Sequence, residues 1–293
     1  MSDEAGAGRT EVPVPLLPRV PLGQTPVRVM TIAGTDSGGG AGINADLRTM
    51  ALCGVHATVA VAAVTVQNTL GVSGFHPIPP EVVAAQMRSV ITDIGIGAAK
   101  TGMLASGAII DAVVDTAAEV GLGGGRTIPL VVDPVCASMH GDQLLADEAM
   151  DSLRTRLIPI ATIITPNLDE VRLITGIEVI DRATQEAAAR ELHALGTQWA
   201  LVKGGHLRNS TSSPDLLFDG TDFTELSAPR IDTGHDHGAG DTLAAAITCA
   251  LAHDYSVPDA VRFAKAWVTR SLSVAYPLGA GHGPVNPLWR LEV

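Results

Sequence analysis

Short apolar runs rich in Val, Ile and Ala recur along the chain, a pattern typical of strands that are buried on both faces of a sheet. They predict strands at 27–34, 56–65, 98–104 (with its exit loop), 128–135, 161–165 and 199–203. The segments between them have helical periodicity or an Ala-rich composition, and predict helices at 43–52, 79–94, 109–120, 184–195, 243–251 and 258–275. This alternation predicts a mostly parallel sheet with helices on both faces.

The last third of the chain departs from the alternation. Residues 215–220 and 222–226 predict a hairpin that turns at Asp219-Gly220, and therefore an antiparallel edge of the sheet. The segment before it, 208–214, is rich in Ser and predicts a mobile loop, and residues 279–284 predict a glycine-rich tail.

Each strand of the parallel series ends in, or is followed by, a residue that departs from its β-branched and Ala-rich pattern. These residues are Gly34, Gln67, Met103, Asp133, Asn167 and Lys203. Because the carboxyl ends of parallel strands meet at one edge of a sheet, where open α/β sheets bind ligands, we expect a ligand site there.

The glycine-rich loop after the first strand is the first candidate for such a site. Four of the five residues 38–42 are glycine, next to Asp36, and the loop has neither the Walker pattern nor a convincing G-x-G-x-x-G. It is either a flexible turn or, as we favour, a place where backbone closely approaches a small ligand. Gln67 offers a donor and an acceptor to a heterocycle edge, or only satisfies loop backbone.

Two helix starts carry further chemistry. Asn167 and Glu170 share one helix face, and either form a capping box, which the motif alone favours, or hold the water shell of Mg²⁺. The glycines of 237–243 leave N–H groups uncovered at a helix N-terminus, which suits a phosphate. Asp241 in this turn is either an ordinary capping residue or the acceptor of a hydroxyl proton.

Composition limits the class of protein. The chain has 293 residues, enough for one large or two smaller domains, and is 46% hydrophobic but only 3% aromatic. Its formal net charge of −12 argues against nucleic acid or an anionic membrane as a partner. Three separated cysteines predict free thiols in the cytoplasm. Residues 1–26 contain five prolines and predict a disordered arm before a single domain at 27–293.

Taken together, the motifs resemble those of the hydroxymethylpyrimidine/phosphomethylpyrimidine kinases of thiamine biosynthesis, members of the ribokinase-like superfamily. The motifs are AGTDSGGGAG (33–42), VQNT (66–69), KTGML (100–104), DPV (133–135), TPNLDE (165–170), VKGGH (202–206), HGAGDTLAAA (237–246) and GHGP (281–284). The resemblance extends from residue 27 to about residue 287, with the motifs in order. It implies a three-layer α/β/α fold with a mostly parallel sheet, and a homodimer.

The resemblance also implies an activity and its ligands. The family uses ATP and Mg²⁺ to phosphorylate 4-amino-5-hydroxymethyl-2-methylpyrimidine, and then converts the monophosphate to the diphosphate. By matching position, the substrate pocket would contain Gly34, Asp36, Ala41, Gln67, Met103 and Val135. The anion hole would comprise Gly238, Ala239 and Gly240, beside the base Asp241. Asn167, Lys203 and Gly205 would bind ATP, and Asp133, Thr165 and Glu170 would lie around the metal.

Two positions depart from the family pattern. Many of these kinases carry Cys where this chain has Asp241, and Asp is the general ribokinase-like base, which adds weight to a pyridoxal or pyridoxine kinase as the alternative. Ala239 replaces the more usual Thr or Gly, but its N–H remains. A catalytically silent pyrimidine- or nucleotide-binding sensor ranks lower, because the acid and the glycine loop are both intact.

Overall fold

The computed structural model describes residues 14–136, 145–205 and 211–291. In these residues nine strands form one sheet, in the order β3-β2-β1-β4-β5-β6-β7-β8-β9. The strands are β1 (Arg28–Gly34), β2 (His56–Asn68), β3 (Gly71–Pro77), β4 (Ala98–Thr101), β5 (Leu130–Val132), β6 (Ile163–Ile164), β7 (Trp199–Val202), β8 (Ser212–Phe218) and β9 (Phe223–Pro229). The six strands from β2 to β7 in this order are parallel, as the apolar runs predict.

Helices cover both faces of this sheet. They are α1 (Gly42–Cys53), α2 (Pro80–Asp93), α3 (Gly107–Val120), α4 (Asp147–Ser152), α5 (Leu168–Thr175), α6 (Arg182–Ala194), α7 (Ala239–Ala252) and α8 (Val257–Ser273). Within the described ranges, no helix is long and apolar enough to cross a membrane.

Alternate residues of the central strands belong to two separate cores. Val29 packs with residues of α1, α7 and α8 on one face. Met30 and Ile32, at the alternate positions of β1, pack with residues of α2 to α6 on the other face. Burial of both faces explains why the strands are continuous apolar runs. The predicted three-layer α/β/α arrangement is therefore confirmed.

The strand order places a crevice beside β1. The chain goes from β1 to β2 on one side, and then crosses to β4 on the other side of β1. Ligands of open α/β sheets bind at such a reversal of strand order, outside the carboxyl ends of the strands. The segments after β1 and β4 contain the predicted glycine-rich loop and Met103.

Two strand predictions need correction. β2 continues past residue 65 to Asn68 and pairs antiparallel with β3, a strand that the sequence pattern did not predict. Gln67 thus lies within a hairpin, next to a register shift after Val66, and not beyond the strand end. β8 begins at Ser212, so the end of the predicted 208–214 loop pairs with β9, while residues 206–210 lie outside the described part.

The N-terminal arm is also corrected in part. Residues 1–13 lie outside the described residues. In the remainder, Leu17 is buried in the core formed by α1, α7 and α8, and Val14 packs against that core. These two residues therefore attach the described part of the arm to the helical layer. The extent of the functional domain at 27–293 stays a prediction.

Candidate active site

Asp36 organises the glycine-rich loop after β1. Its carboxylate is 2% exposed and accepts N–H groups from Gly38 at 2.8 Å, Gly40 at 2.9 Å and Ala41 at 2.8 Å. The loop therefore folds around one buried acid, and glycine permits the tight course of the backbone. Asp36 was predicted to bind substrate. Its oxygens instead hold the loop that would do so.

The predicted pocket residues Gly34 and Met103 are in contact. The N–H of Gly34 donates to the carbonyl of Met103 at 3.0 Å. A Cβ on Gly34 would lie 2.6 Å from Met103 Cε, so only glycine fits unless that flexible side chain moves. Ala41 is the N-cap residue of α1. Val135 lies just before residues 137–144, which are outside the described part, and its place in the pocket stays a prediction.

His237 links the glycine-rich loop to the turn before α7. Its Nε2 lies 3.0 Å from Asp36 Oδ2 and 3.4 Å from Gln67 Nε2. Beside it, Gly238 has φ +77°, and a Cβ there would lie 2.0 Å from the carbonyl oxygen of Gly40. The predicted pyrimidine pocket and the predicted phosphoryl-transfer turn are therefore in direct contact. The sequence motif contains His237, but sequence reasoning assigned it no role.

The contact between Asp36 and His237 favours the charged form of each group. Burial raises the pKa of Asp36, but hydrogen bonds from His237 and from the loop N–H groups outweigh it, so this pKa lies below 3.8. The hydrogen bond to Asp36 raises the pKa of His237 above 6.5, against the effect of burial.

The N-terminus of α7 offers N–H groups for an anion. Gly238 is the N-cap residue, and no side chain caps the helix. The N–H of Ala239 donates to the carbonyl of Asp236 at 3.0 Å, so, in contrast to the prediction, it is not available for an anion hole. Within the described ranges, the N–H groups of Gly240 and Asp241 have no such partner. These two are the donors that a helix N-terminus presents to a phosphate.

A buried lysine lies beneath the predicted base. Lys100 Nζ is 3.4 Å from Asp241 Oδ1 and 2.7 Å from Asp46 Oδ1. The hydroxyl of Thr31 donates to the other oxygen of Asp46 at 2.6 Å. Sequence reasoning missed Lys100 and Asp46. The available signal was a charge inside a buried strand and another on the apolar helix α1, since buried charges need partners.

Burial and neighbouring charges have opposing effects on the pKa values of Asp46 and Lys100. Burial raises the pKa of Asp46 to about 7, and the charge of Asp241 adds to this effect, while Lys100 and Thr31 oppose it. Burial alone would lower the pKa of Lys100. The charges of Asp46, Asp241 and Asp133 outweigh burial and raise this pKa instead, so Lys100 is a permanent cation.

The predicted phosphate ligands gather on the other side of the α7 N-terminus. A Cβ on Gly240 would lie 3.3 Å from Lys203 Nζ and 3.6 Å from Asp133 Oδ2. Lys203 Nζ is 3.4 Å from Asp133 Oδ1, and the hydroxyl of Thr165 donates to the same oxygen at 3.2 Å. One cation, one carboxylate and free helix N–H groups therefore share this end of the crevice.

Asn167 and Glu170 form the capping box that their spacing favours. Asn167 Oδ1 accepts the N–H of Glu170 at 2.9 Å, and Glu170 Oε2 accepts the N–H of Asn167 at 2.8 Å. The amide oxygen of Asn167 is thus engaged at the start of α5. Gly205, also predicted to bind ATP, has its carbonyl bonded to Arg230.

The oxygen ligands near Lys203 suit a magnesium ion whose coordination is completed by phosphate oxygens. Asp133 and Glu170 are buried carboxylates, and Thr165 adds a hydroxyl. Burial raises the pKa of Glu170 to about 7, and the charge of Asp133 adds to this while Lys203 opposes it. The described residues contain no group of three or more His, Cys, Asp or Glu that could bind a metal alone. Mg²⁺ commonly takes one or two carboxylates together with substrate phosphates and waters, which this set allows.

The sequence profile of the phosphomethylpyrimidine kinase family matches residues 36–286. The chain belongs to this family. It is 66% identical over 278 residues to the hydroxymethylpyrimidine/phosphomethylpyrimidine kinase of Mycobacterium leprae, covering 94% of this chain and 98% of that protein.

Two solved structures are similar in fold. The pyridoxal kinase of Bacillus subtilis, solved as an ADP complex, has a TM-score of 0.83 and 34% identity, covering 92% of this chain and all of that chain. The phosphomethylpyrimidine kinase of Clostridium difficile has a TM-score of 0.74 and 35% identity, covering 84% of this chain and 99% of that one. The predicted family, ribokinase-like fold and kinase class are confirmed. The roles of individual site residues stay predictions.

We expect the contact between Asp36 and His237 to stabilise the folded protein mainly at lower pH. Because the pKa of His237 is raised, the contribution is fully present below about pH 6.5 and is lost as pH rises through the folded-state value. His237→Gln should therefore lower the free energy of unfolding by about 1 kcal/mol at about pH 6, and by less at about pH 9, for a partly exposed pair. Urea unfolding at both pH values measures this.

The matched control is His56→Gln, which changes an exposed histidine at the start of β2, away from Asp36. It should not reproduce the pH dependence. An equal loss of stability in His237→Gln at both pH values would show that His237 is held by packing alone.

Proposed function

We propose that this chain transfers the γ-phosphoryl group of ATP to the hydroxymethyl oxygen of 4-amino-5-hydroxymethyl-2-methylpyrimidine, and then phosphorylates the monophosphate to the diphosphate. The observation that carries the proposal is the direct contact between the Asp36 loop and the α7 turn bearing Asp241, in a chain of this family. We further propose a cytoplasmic location, which three free and buried cysteines support.

The aminopyrimidine would bind at the Gln67 end of the crevice. The amide of Gln67 matches the donor and acceptor on one edge of that ring. Gly34 and Met103 provide an apolar wall in mutual contact. The hydrogen bond to Asp36 raises the pKa of His237, and the Nε2 atom of this histidine lies 3.4 Å from Gln67 Nε2, so it restricts the orientation of the amide.

The phosphoryl group would move at the α7 end. Phosphoryl transfer depends on in-line positioning and charge stabilisation more than on covalent chemistry. Asp241 would accept the hydroxyl proton, while the N–H groups of Gly240 and Asp241 and the ammonium of Lys203 stabilise negative charge on the transferring group. Mg²⁺ near Asp133, Thr165 and Glu170 would supply further charge stabilisation on the phosphates.

A pyridoxal kinase is the second candidate. Two observations favour it: the structural similarity to the pyridoxal kinase of Bacillus subtilis, and Asp241 at the position of the base. The aminopyrimidine remains the preferred substrate, because the relative with 66% identity bears the name of the pyrimidine kinase.

The two candidates differ in a direct assay. With ATP and Mg²⁺, we expect a higher kcat/KM for the hydroxymethylpyrimidine than for pyridoxal, and a diphosphate product that follows the monophosphate. Gln67→Ala should raise the KM for the pyrimidine and leave the KM for ATP unchanged. Chromatography that separates the two products measures both steps, and a preference for pyridoxal would support the second candidate.

Asp241→Asn tests the proposed base. Turnover should fall by a factor of about 10² to 10⁴, the usual size of a general-base contribution. The control is Asp254→Asn near the other end of α7, where φ is +61°, a conformation that Asn also tolerates. Near-normal turnover of Asp241→Asn, with chemistry shown to limit the rate by single-turnover kinetics, would exclude this role.

We also propose a homodimer, supported by exposed apolar side chains on the β2–β3 hairpin at the edge of the sheet. These are Val64, Val66, Leu70, Val72 and Phe75. Light scattering should give twice the chain mass of 30.2 kDa. Val66→Asp should reduce this mass. Ile180→Asp, which changes an exposed apolar residue just before α6, should leave it unchanged. A single-chain mass for the unaltered protein would contradict the proposal.

A further inference from the structure

Lys100 is a cation in the middle of the sheet. It lies on β4 between β1 and β5, and its side chain is fully buried. Two carboxylates reach it from two different helices: Asp46 from α1 and Asp241 from α7. A Cβ on Gly102 would lie 3.7 Å from Lys100 Nζ and 3.9 Å from Asp241 Oδ1. Residue 102 therefore adjoins the contact between the ammonium and the predicted base.

The two carboxylates are held differently. Asp46 is fully buried, and both of its oxygens are bonded, one to Lys100 at 2.7 Å and one to Thr31 at 2.6 Å. Asp241 is 15% exposed and meets Lys100 through Oδ1 at 3.4 Å. Lys100 is thus fixed from the α1 side, and its remaining contact fixes one oxygen of Asp241. The other oxygen is left for the crevice.

Stability alone does not account for this arrangement. A buried ion pair adds little net stability compared with well-packed apolar residues of similar volume. Lys100 already donates to Asp46, whose other oxygen accepts the hydroxyl of Thr31. Asp241 nevertheless places a second carboxylate beside the same cation. The charged groups that act on Lys100 are Asp46, Asp241 and, after β5, Asp133.

We propose that Lys100, anchored by Asp46 and Thr31, is the positioning residue that orients Asp241 for proton acceptance. This inference rests on the proposed kinase function. In the step it serves, the alcohol oxygen forms a bond to the γ-phosphorus as the bond from that phosphorus to the bridging oxygen breaks, and the electron pair of that bond leaves with ADP. The alcohol proton goes to the free oxygen of Asp241. Lys100 keeps its protons throughout.

The test uses two variants of this buried set, Asp46→Asn/Lys100→Met and Asp46→Asn alone. Lys100→Met removes the cation and leaves Asp46 without its partner, which is unfavourable for folding. The double variant Asp46→Asn/Lys100→Met removes both charges at nearly constant volume and is expected to fold. In the double variant kcat should fall about 10- to 100-fold, within the range of a disturbed base, while the KM for the alcohol changes less than about threefold.

The pH dependence of kcat separates positioning from packing. A cation beside a carboxylate favours its charged form, so its loss should move the acid limb of the profile upward, by about one pH unit, in the double variant. Asp46→Asn alone keeps the cation beside Asp241, so its acid limb should stay where it is in the unaltered protein. A merely structural set would lower the melting temperature of both variants and leave the acid limb of the double variant in place.

The possible outcomes separate the role of Lys100 from the proposed kinase function. Turnover by the unaltered protein, with kcat and acid limb unchanged in the folded double variant, overturns the role of Lys100 and leaves the proposed function intact. Failure of the unaltered protein to phosphorylate either the pyrimidine or pyridoxal overturns the proposed function, and this inference with it. An upward shift of the acid limb in the double variant that is absent from Asp46→Asn supports the inference.

Discussion

The carboxylate of Asp36 is the contact on which the rest of the site depends. It accepts three loop N–H groups and the imidazole of His237, and so joins the segment after β1 to the segment before α7. These segments are separated by about two hundred positions in the chain, and only the strand order of the sheet brings them together. Because the acid is buried, its bonds are shielded from solvent, and the loop has a defined shape before any ligand binds.

Local patterns were sufficient to predict the layers of the fold, because burial on both faces makes parallel strands uniformly apolar. The same rule explains what could not be predicted. β3 has Gly, Ser and His at positions exposed at the edge of the sheet, so its sequence has no strand-like run. Leu17 is a single buried residue among prolines, and no periodicity marks it. Ser212 belongs to a strand because β9 provides partners, not because of its own propensity.

The candidate site also combines local features, which can be predicted from sequence, with contacts between distant residues, which cannot. The glycine loop, Asp241 and the capping box at Asn167 are local features, and short motifs were enough to select them. His237, which binds Asp36, and the carboxylates that reach Lys100 are distant from their partners in sequence, and identifying these contacts requires the arrangement of the sheet. The motif alone predicts that the N–H of Ala239 belongs to an anion hole. It does not reveal that this N–H donates to the carbonyl of Asp236.

The packing of Gly238 against Gly40 has a consequence for altering acceptor choice. A side chain at either glycine would displace the backbone or imidazole of the opposite segment, so neither position can be changed without moving the other. The segment proposed to recognise the acceptor and the segment proposed to transfer the group are thus mechanically coupled at this contact. The Gly34–Met103 wall is different, since the atom nearest to Gly34 is the end of a flexible side chain. Redesign for a bulkier alcohol should therefore begin at Met103, where extra volume can be gained without disturbing the start of α7.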